Sequence, residues 1–260
     1  MPVSSLPNHL EVLLPEFTPE KTLLALSLCS DELSTKPNTS LGSVLTSHFS
    51  TTGAFMAGGL GGMVSCGTTG IGAMFSHVQT PGNVLFVYAS HVGISSPSSG
   101  SKLGLVERPG CSDLTNTCGA ATKAFNDIVG SFSSPPPQSP TTKKIFNSDY
   151  QQDCLEAALK PNIEQILADQ LVNNMVQLSL VTAEAIHLSA LATIFPGGIE
   201  FSDTKRRVQN PSDYPPVKIA LVGGVHINTS PNCEDYFQLT KIEIVDVDGL
   251  VETLELTASL

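Results

Sequence analysis

The chain has 260 residues, with 13 Lys and Arg against 24 Asp and Glu, a net charge of −11. That balance repels phosphate backbones and anionic lipid surfaces, so nucleic acid and membrane partners are not expected. Length and a 41% apolar composition suffice for a full core in one domain spanning residues 1–260, so the six cysteines are not needed as staples and are expected reduced, in a soluble intracellular protein.

The start, MPVSSLPNHLEVLLPEF, has no basic segment and no uninterrupted apolar run, so no signal peptide is expected there. Residues 7–16 read as a short helix ended by Pro15, and Thr18-Pro19 offer an N-cap and first helical position for a restart. From Thr22 to Leu28 the run TLLALSL stops abruptly at Cys29-Ser30-Asp31-Glu32, the pattern of a buried strand entering a loop. Residues 41–50 suit a short helix. The following glycine-dense segment, GAFMAGGLGGMVSCGTTGIGAM, permits close backbone approach but lacks the strand, turn and helix context of a dinucleotide fingerprint.

A second buried strand, Asn83 to Ala89, ends at Ser90 and His91. Lys102 to Arg108 reads as a strand, and Cys118 to Phe132 as an amphipathic helix whose first turn would stabilise a Cys118 thiolate. Pro135 to Thr142 is a proline-rich surface linker. Tyr150 to Leu159 and Asn162 to Phe195 read as helices broken at Pro161. The second contains Asn173, Asn174, Gln177, Glu184 and His187, too polar for hydrocarbon and better suited to a core helix than to membrane insertion. Val217 to Thr229, Tyr236 to Val245 and Leu250 to Leu256 have the alternation of strands. The order of elements is that of an α/β protein.

Cys29, His91 and Cys118 each stand where an apolar strand or a helix start meets a polar loop. Two thiolates and an imidazole are three of the four ligands of tetrahedral zinc, leaving a fourth position open as catalytic sites do. Their spacing is not that of a zinc finger. Asp31, two residues beyond Cys29 on an extended segment, lies on the same side and can orient a water or itself ligate. Cys111, in a second CSD triplet, is the rival third ligand. Cys66, Cys154 and Cys233 read as small buried hydrophobes, and His48, His77, His187 and His226 as surface or hydrogen-bonded core residues.

The Cys29-x-Asp31 motif after a buried strand resembles the first zinc motif of β-type carbonic anhydrases. A fuller resemblance is to the limiting-CO2-inducible protein B/C family, the theta-type carbonic anhydrases. It runs through CSDEL at 29–33, GGLGG with TGIGA and SHV to residue 78, YASHVGI at 88–94, GLVERPG at 104–110, TCGAA at 117–121, and GGVHINT with DYF at 223–237. It implies a β-carbonic-anhydrase-like α/β fold, with a mainly parallel central sheet flanked by helices and additional C-terminal strands. It implies Zn2+ held by Cys29, His91 and Cys118, with Asp31 as acidic partner, and reversible hydration of CO2 to bicarbonate by zinc-bound hydroxide. It further implies a homodimer or higher homo-oligomer, in the chloroplast stroma if the chain is processed and otherwise in the cytoplasm.

One departure stands out. β-type enzymes carry an arginine two residues after the aspartate, where this chain has Leu33, and Arg108 is the candidate substitute because Arg206 and Arg207 read as a polar exposed loop. Two alternatives therefore stay open. One is a catalytically silent family member that acts as a bicarbonate-binding or assembly subunit of a CO2-concentrating system. The other is a hydrolase with Cys29 or Cys118 as nucleophile beside His91 and Asp31.

Overall fold

A computed structural model describes residues 1–31, 36–50, 53–79, 81–93, 118–133, 149–163, 171–202, 205–209, 217–229 and 234–256; for 171–176, 201, 202 and 205 the description is of the backbone. Eight strands form one sheet: β1 (Thr22–Ser27), β2 (Phe55–Met56), β3 (Asn83–Gly93), β4 (Ile199–Ser202), β5 (Lys205–Val208), β6 (Lys218–Asn228), β7 (Tyr236–Val245) and β8 (Leu250–Leu254). Their order is β2-β1-β3-β6-β7-β8-β5-β4. The pairings β2-β1, β1-β3 and β3-β6 are parallel, and every pairing from β6 outward through β7, β8, β5 and β4 is antiparallel. The sheet is therefore mixed, with the expected parallel centre and an antiparallel extension supplied by the C-terminal strands.

The helices are α1 (Leu6–Leu13), α2 (Leu41–Phe49), α3 (Gly67–Ser76), α4 (Gly119–Ser133), α5 (Tyr150–Leu159) and α6 (Leu171–Ile194). They cover both faces of the parallel strands, which is why β1 and β3 read as unbroken apolar runs. On one face Ala25, Val84, Phe86, Tyr88, Ile219 and Leu221 meet side chains of α3, α4, α5 and α6, among them Met74, Ala124, Leu155 and Ile186. On the other, Leu24, Leu26, Leu85, Val87 and Val222 meet Leu6 and Leu10 of α1 and Leu41, Leu45 and Phe49 of α2. Each large apolar side chain buried this way contributes about 1.5–3 kcal/mol before entropy is counted. Ser40 caps α2 by accepting the backbone N–H of Ser43 at 3.3 Å.

Several elements differ from the sequence expectation. β3 continues past Ala89 to Gly93, so Ser90 and His91 lie within the strand, where they pair with Val225 and His226 of β6. The glycine-dense segment holds β2 and α3, because tertiary packing of Ile71, Met74 and Phe75 outweighs the poor helix propensity of its glycines. Lys205 to Val208 is a strand rather than a loop, and Arg206 is partly buried against Glu243. In α6, the stretch Gln177–Ile194 is long and apolar enough to cross a membrane, but 61% of it is buried within the protein, as suits a core helix. The expected strand at 102–108 and the linker at 135–142 fall outside the described residues.

Candidate metal centre

Cys29 follows the carboxyl end of β1, His91 sits two residues before the end of β3, and Cys118 immediately precedes α4. The fold brings together these three residues, remote in sequence, at the carboxyl ends of the parallel strands. One ligand atom from each lies within 4.8 Å of the others, and the residues are only 7%, 5% and 3% exposed. Among the described residues no other group of His, Cys, Asp and Glu could hold a metal in this way. Cys66 and Cys154 are free but take no part, and Cys111, the rival ligand, and Cys233 lie outside the described residues.

Close backbone contacts hold the thiols in place. The backbone N–H of Ser30 donates to Gly59 O at 3.2 Å, and a Cβ on Gly58 would meet Leu28 O at 2.5 Å. The glycine-dense segment therefore lies against the backbone that carries Cys29, an approach that a side chain would prevent. Gly62, at φ +83°, would likewise drive a Cβ to 2.5 Å from Ala89 O. On the other side, the Cys118 N–H donates to His91 O at 3.3 Å and so ties the start of α4 to β3.

The two sulfurs are 3.7 Å apart. The hydrogen bond between them pulls the Cys29 thiol down to about 4, aided by His91 and the backbone N–H of Asp31 and opposed by burial. The same bond and the Cys29 charge push Cys118 upward, against stabilisation from the backbone N–H groups of Ala120 and Ala121 in the first turn of α4. The two buried sulfurs are thus driven in opposite directions, Cys29 toward the thiolate and Cys118 toward the thiol. Burial disfavours the charged form of His91, but its contact with Cys29 outweighs this and raises its pKa.

His91 Nδ1 is 3.1 Å from Asn228 Oδ1, whereas Nε2 is buried with no hydrogen-bond partner. An unpartnered buried imidazole nitrogen is costly. Beside two sulfurs that cannot both ionise unaided, it fits the donor set of a soft divalent cation such as zinc. The residues present therefore suit a metal ion. Asp31 is partly exposed and close enough for its charge to favour protonated His91. Arg108 lies outside the described residues.

The remaining histidines have other roles. His48 contacts Glu11 at 2.9 Å, His187 contacts Tyr88 and Glu243, and His226 contacts Asp235. Sequence reasoning overlooked Asn228 and Asp235. Both stand inside the motifs GGVHINT and DYF, but only strand pairing reveals that they back His91. The cavity of about 310 Å³ bounded by Lys21, Thr22, His48 and His77 lies at the amino end of β1, away from the thiols.

Mixed parallel and antiparallel strands under two helical layers, with a Cys-His-Cys cluster at the carboxyl ends of the parallel strands, define an α/β protein with a candidate metal centre. The chain belongs to the family described as limiting CO2-inducible proteins B/C beta carbonic anhydrases, whose model matches residues 1–246. Among solved structures it is similar to PtLCIB4, a homologue of the limiting CO2-inducible protein LCIB, at 26% identity and a TM-score of 0.74, covering 98% of this chain and 95% of that one. A point mutant of PtLCIB4 matches at 26% identity and a TM-score of 0.76, covering 100% and 94%. LCIB itself shares the fold, at 19% identity and a TM-score of 0.64 over 98% and 93%. No curated protein matches the chain.

Proposed function

We propose that this protein is a zinc-dependent carbonic anhydrase that interconverts CO2 and water with bicarbonate and a proton. The observation that carries this reading is the buried trio of Cys29 Sγ, Cys118 Sγ and His91 Nε2, the last with no hydrogen-bond partner. These three atoms would hold the ion. The chemistry supplied by bound zinc is acidification of water, from a pKa of 15.7 to about 7, which makes hydroxide available at neutral pH.

The chain's own residues shape that chemistry. Two thiolates donate more charge than imidazoles would, so the activity should rise toward alkaline pH. Asp31 is proposed to accept a hydrogen bond from the reacting water and hold its lone pair toward the carbon of CO2. Arg108 is proposed as the partner that keeps Asp31 in that role. The segment from Gly58 to Gly72 and the side chain of Val92 are proposed to wall the small apolar pocket that CO2 needs.

A catalytically silent bicarbonate-binding or assembly subunit is the second reading, favoured by Leu33 where β-type enzymes carry arginine. Elemental analysis combined with a CO2 hydration assay separates the two. The purified protein should carry about one zinc per chain and hydrate CO2, and Cys29→Ala or His91→Ala should remove both the metal and the activity. Zinc retained in both variants would overturn the site. Zinc without hydration would favour the silent subunit.

A further inference from the structure

Behind His91 stands a buried polar chain that the proposed reaction does not use. β3 and β6 run parallel with His91 opposite His226, and Asn228, two residues further on, returns to the same face of the sheet. His91 Nδ1 is 3.1 Å from Asn228 Oδ1, and Asn228 Nδ2 is 3.3 Å from Asp235 Oδ2. Asp235 is fully buried. It also faces His226 Nε2 at 3.0 Å, the Thr229 N–H at 2.9 Å, the Thr229 hydroxyl at 3.2 Å and Lys36 Nζ at 2.7 Å.

The hydrogen-bond inventory permits one consistent arrangement. An ionised carboxylate only accepts, so Asn228 must turn its NH2 toward Asp235. Its carbonyl oxygen then faces His91, which requires a proton on Nδ1 and, in the neutral imidazole that binds a metal, leaves Nε2 bare. With the amide reversed, its oxygen would oppose the Asp235 carboxylate at 3.3 Å. The ammonium of Lys36 supplies the countercharge that keeps a buried Asp235 ionised.

We infer that Asp235, acting through Asn228, sets the tautomer of His91, making Asn228 and Asp235 positioning residues for the metal ligand. The inference rests on the zinc reading above. Partners behind a ligating histidine typically change metal affinity by about 10–100-fold when removed.

The test is the zinc dissociation constant of the full chain, measured by competition with a chelator, with the melting temperature of each metal-free variant recorded alongside. Asn228→Leu keeps the size but loses the acceptor, and should bind zinc about 10–100-fold more weakly. Nitrogen NMR of the zinc-loaded parent should show His91 protonated at Nδ1 and metallated at Nε2.

Zinc binding by Asn228→Leu equal to that of the parent would overturn the inference. Should Asn228→Leu not fold, the NMR spectrum decides, since metal on Nδ1 of the parent would also overturn it. A parent that binds no zinc removes the zinc reading itself, a result distinct from tight binding that ignores Asn228.

Discussion

His91 and His187 are both almost fully buried, yet their surroundings differ in one respect that matters. His187, on α6, has both ring nitrogens engaged. Nδ1 is 2.8 Å from the Tyr88 hydroxyl and Nε2 is 3.4 Å from Glu243 Oε2, and Arg206 closes the chain at 2.5 Å from Glu243 Oε1. The 3.4 Å contact is longer than a close hydrogen bond, which agrees with Glu243 Oε2 having no hydrogen-bond partner of its own. His91 has one nitrogen held by Asn228 and the other pointing at nothing in the protein but two sulfurs. Strand alternation places Tyr88 and His91 on opposite faces of β3. The network around His187 ties a helix to a sheet, whereas one nitrogen left over beside two thiols marks a place built for something else.

The strongest way to break this contrast is to open the closed network. Glu243→Ala leaves His187 and Arg206 without their shared carboxylate and should cost about 3–5 kcal/mol in chemical denaturation. Zinc stoichiometry should not change in the protein that remains folded. A loss of metal at full stability would show that the two clusters are not separate.

Acid acts on both clusters together. Burial raises the Glu243 pKa, but contacts with His187 and Arg206 outweigh this and hold it at about 2, against an ordinary 4.5. Burial likewise opposes the bonds from His226, Lys36 and Thr229 that hold Asp235 at about 2, against 3.8. Both folded values are depressed. Their contribution is therefore present in full above the ordinary values and is lost as pH falls from about 4.5 toward 2, on the order of 2 kcal/mol for each carboxylate. Denaturation midpoints measured across that range should fall steeply. Glu243→Gln should flatten the slope, and an unchanged slope would show that Glu243 is not held low.

The smallest effect is expected from Tyr88→Phe, which removes only the hydroxyl bonded to His187. It should cost about 1–2 kcal/mol and leave zinc affinity unchanged. A change in affinity would place Tyr88 within the metal centre rather than outside it.

Much of this was legible in the chain. The runs at Thr22 and Asn83 announced buried parallel strands because helices cover both faces and leave no position for polar alternation. Tyr236–Val245 was read at its actual limits, since its residues alternate between buried and exposed. Other elements were hidden. Helix α3 is rich in glycine and is held by packing that local propensity does not report. The strand at Lys205 carries consecutive basic residues that read as a solvated loop until Glu243 is placed beside Arg206.

Sequence by itself determined which side chains could do metal chemistry, because thiols, imidazoles and a nearby carboxylate at the ends of apolar segments are recognisable without coordinates. It also determined the class of fold, because the order of elements and their apolar patterning decide which layers can pack. Only the tertiary structure decided that Cys29, His91 and Cys118 meet, and that Asn228 and Asp235 stand behind the histidine. Those contacts depend on strand order and register, and two parallel strands adjacent in the sheet can be far apart in the chain. The assignment of the free nitrogen of His91 came last, since it follows from a carboxylate two bonds removed that no local pattern connects to it.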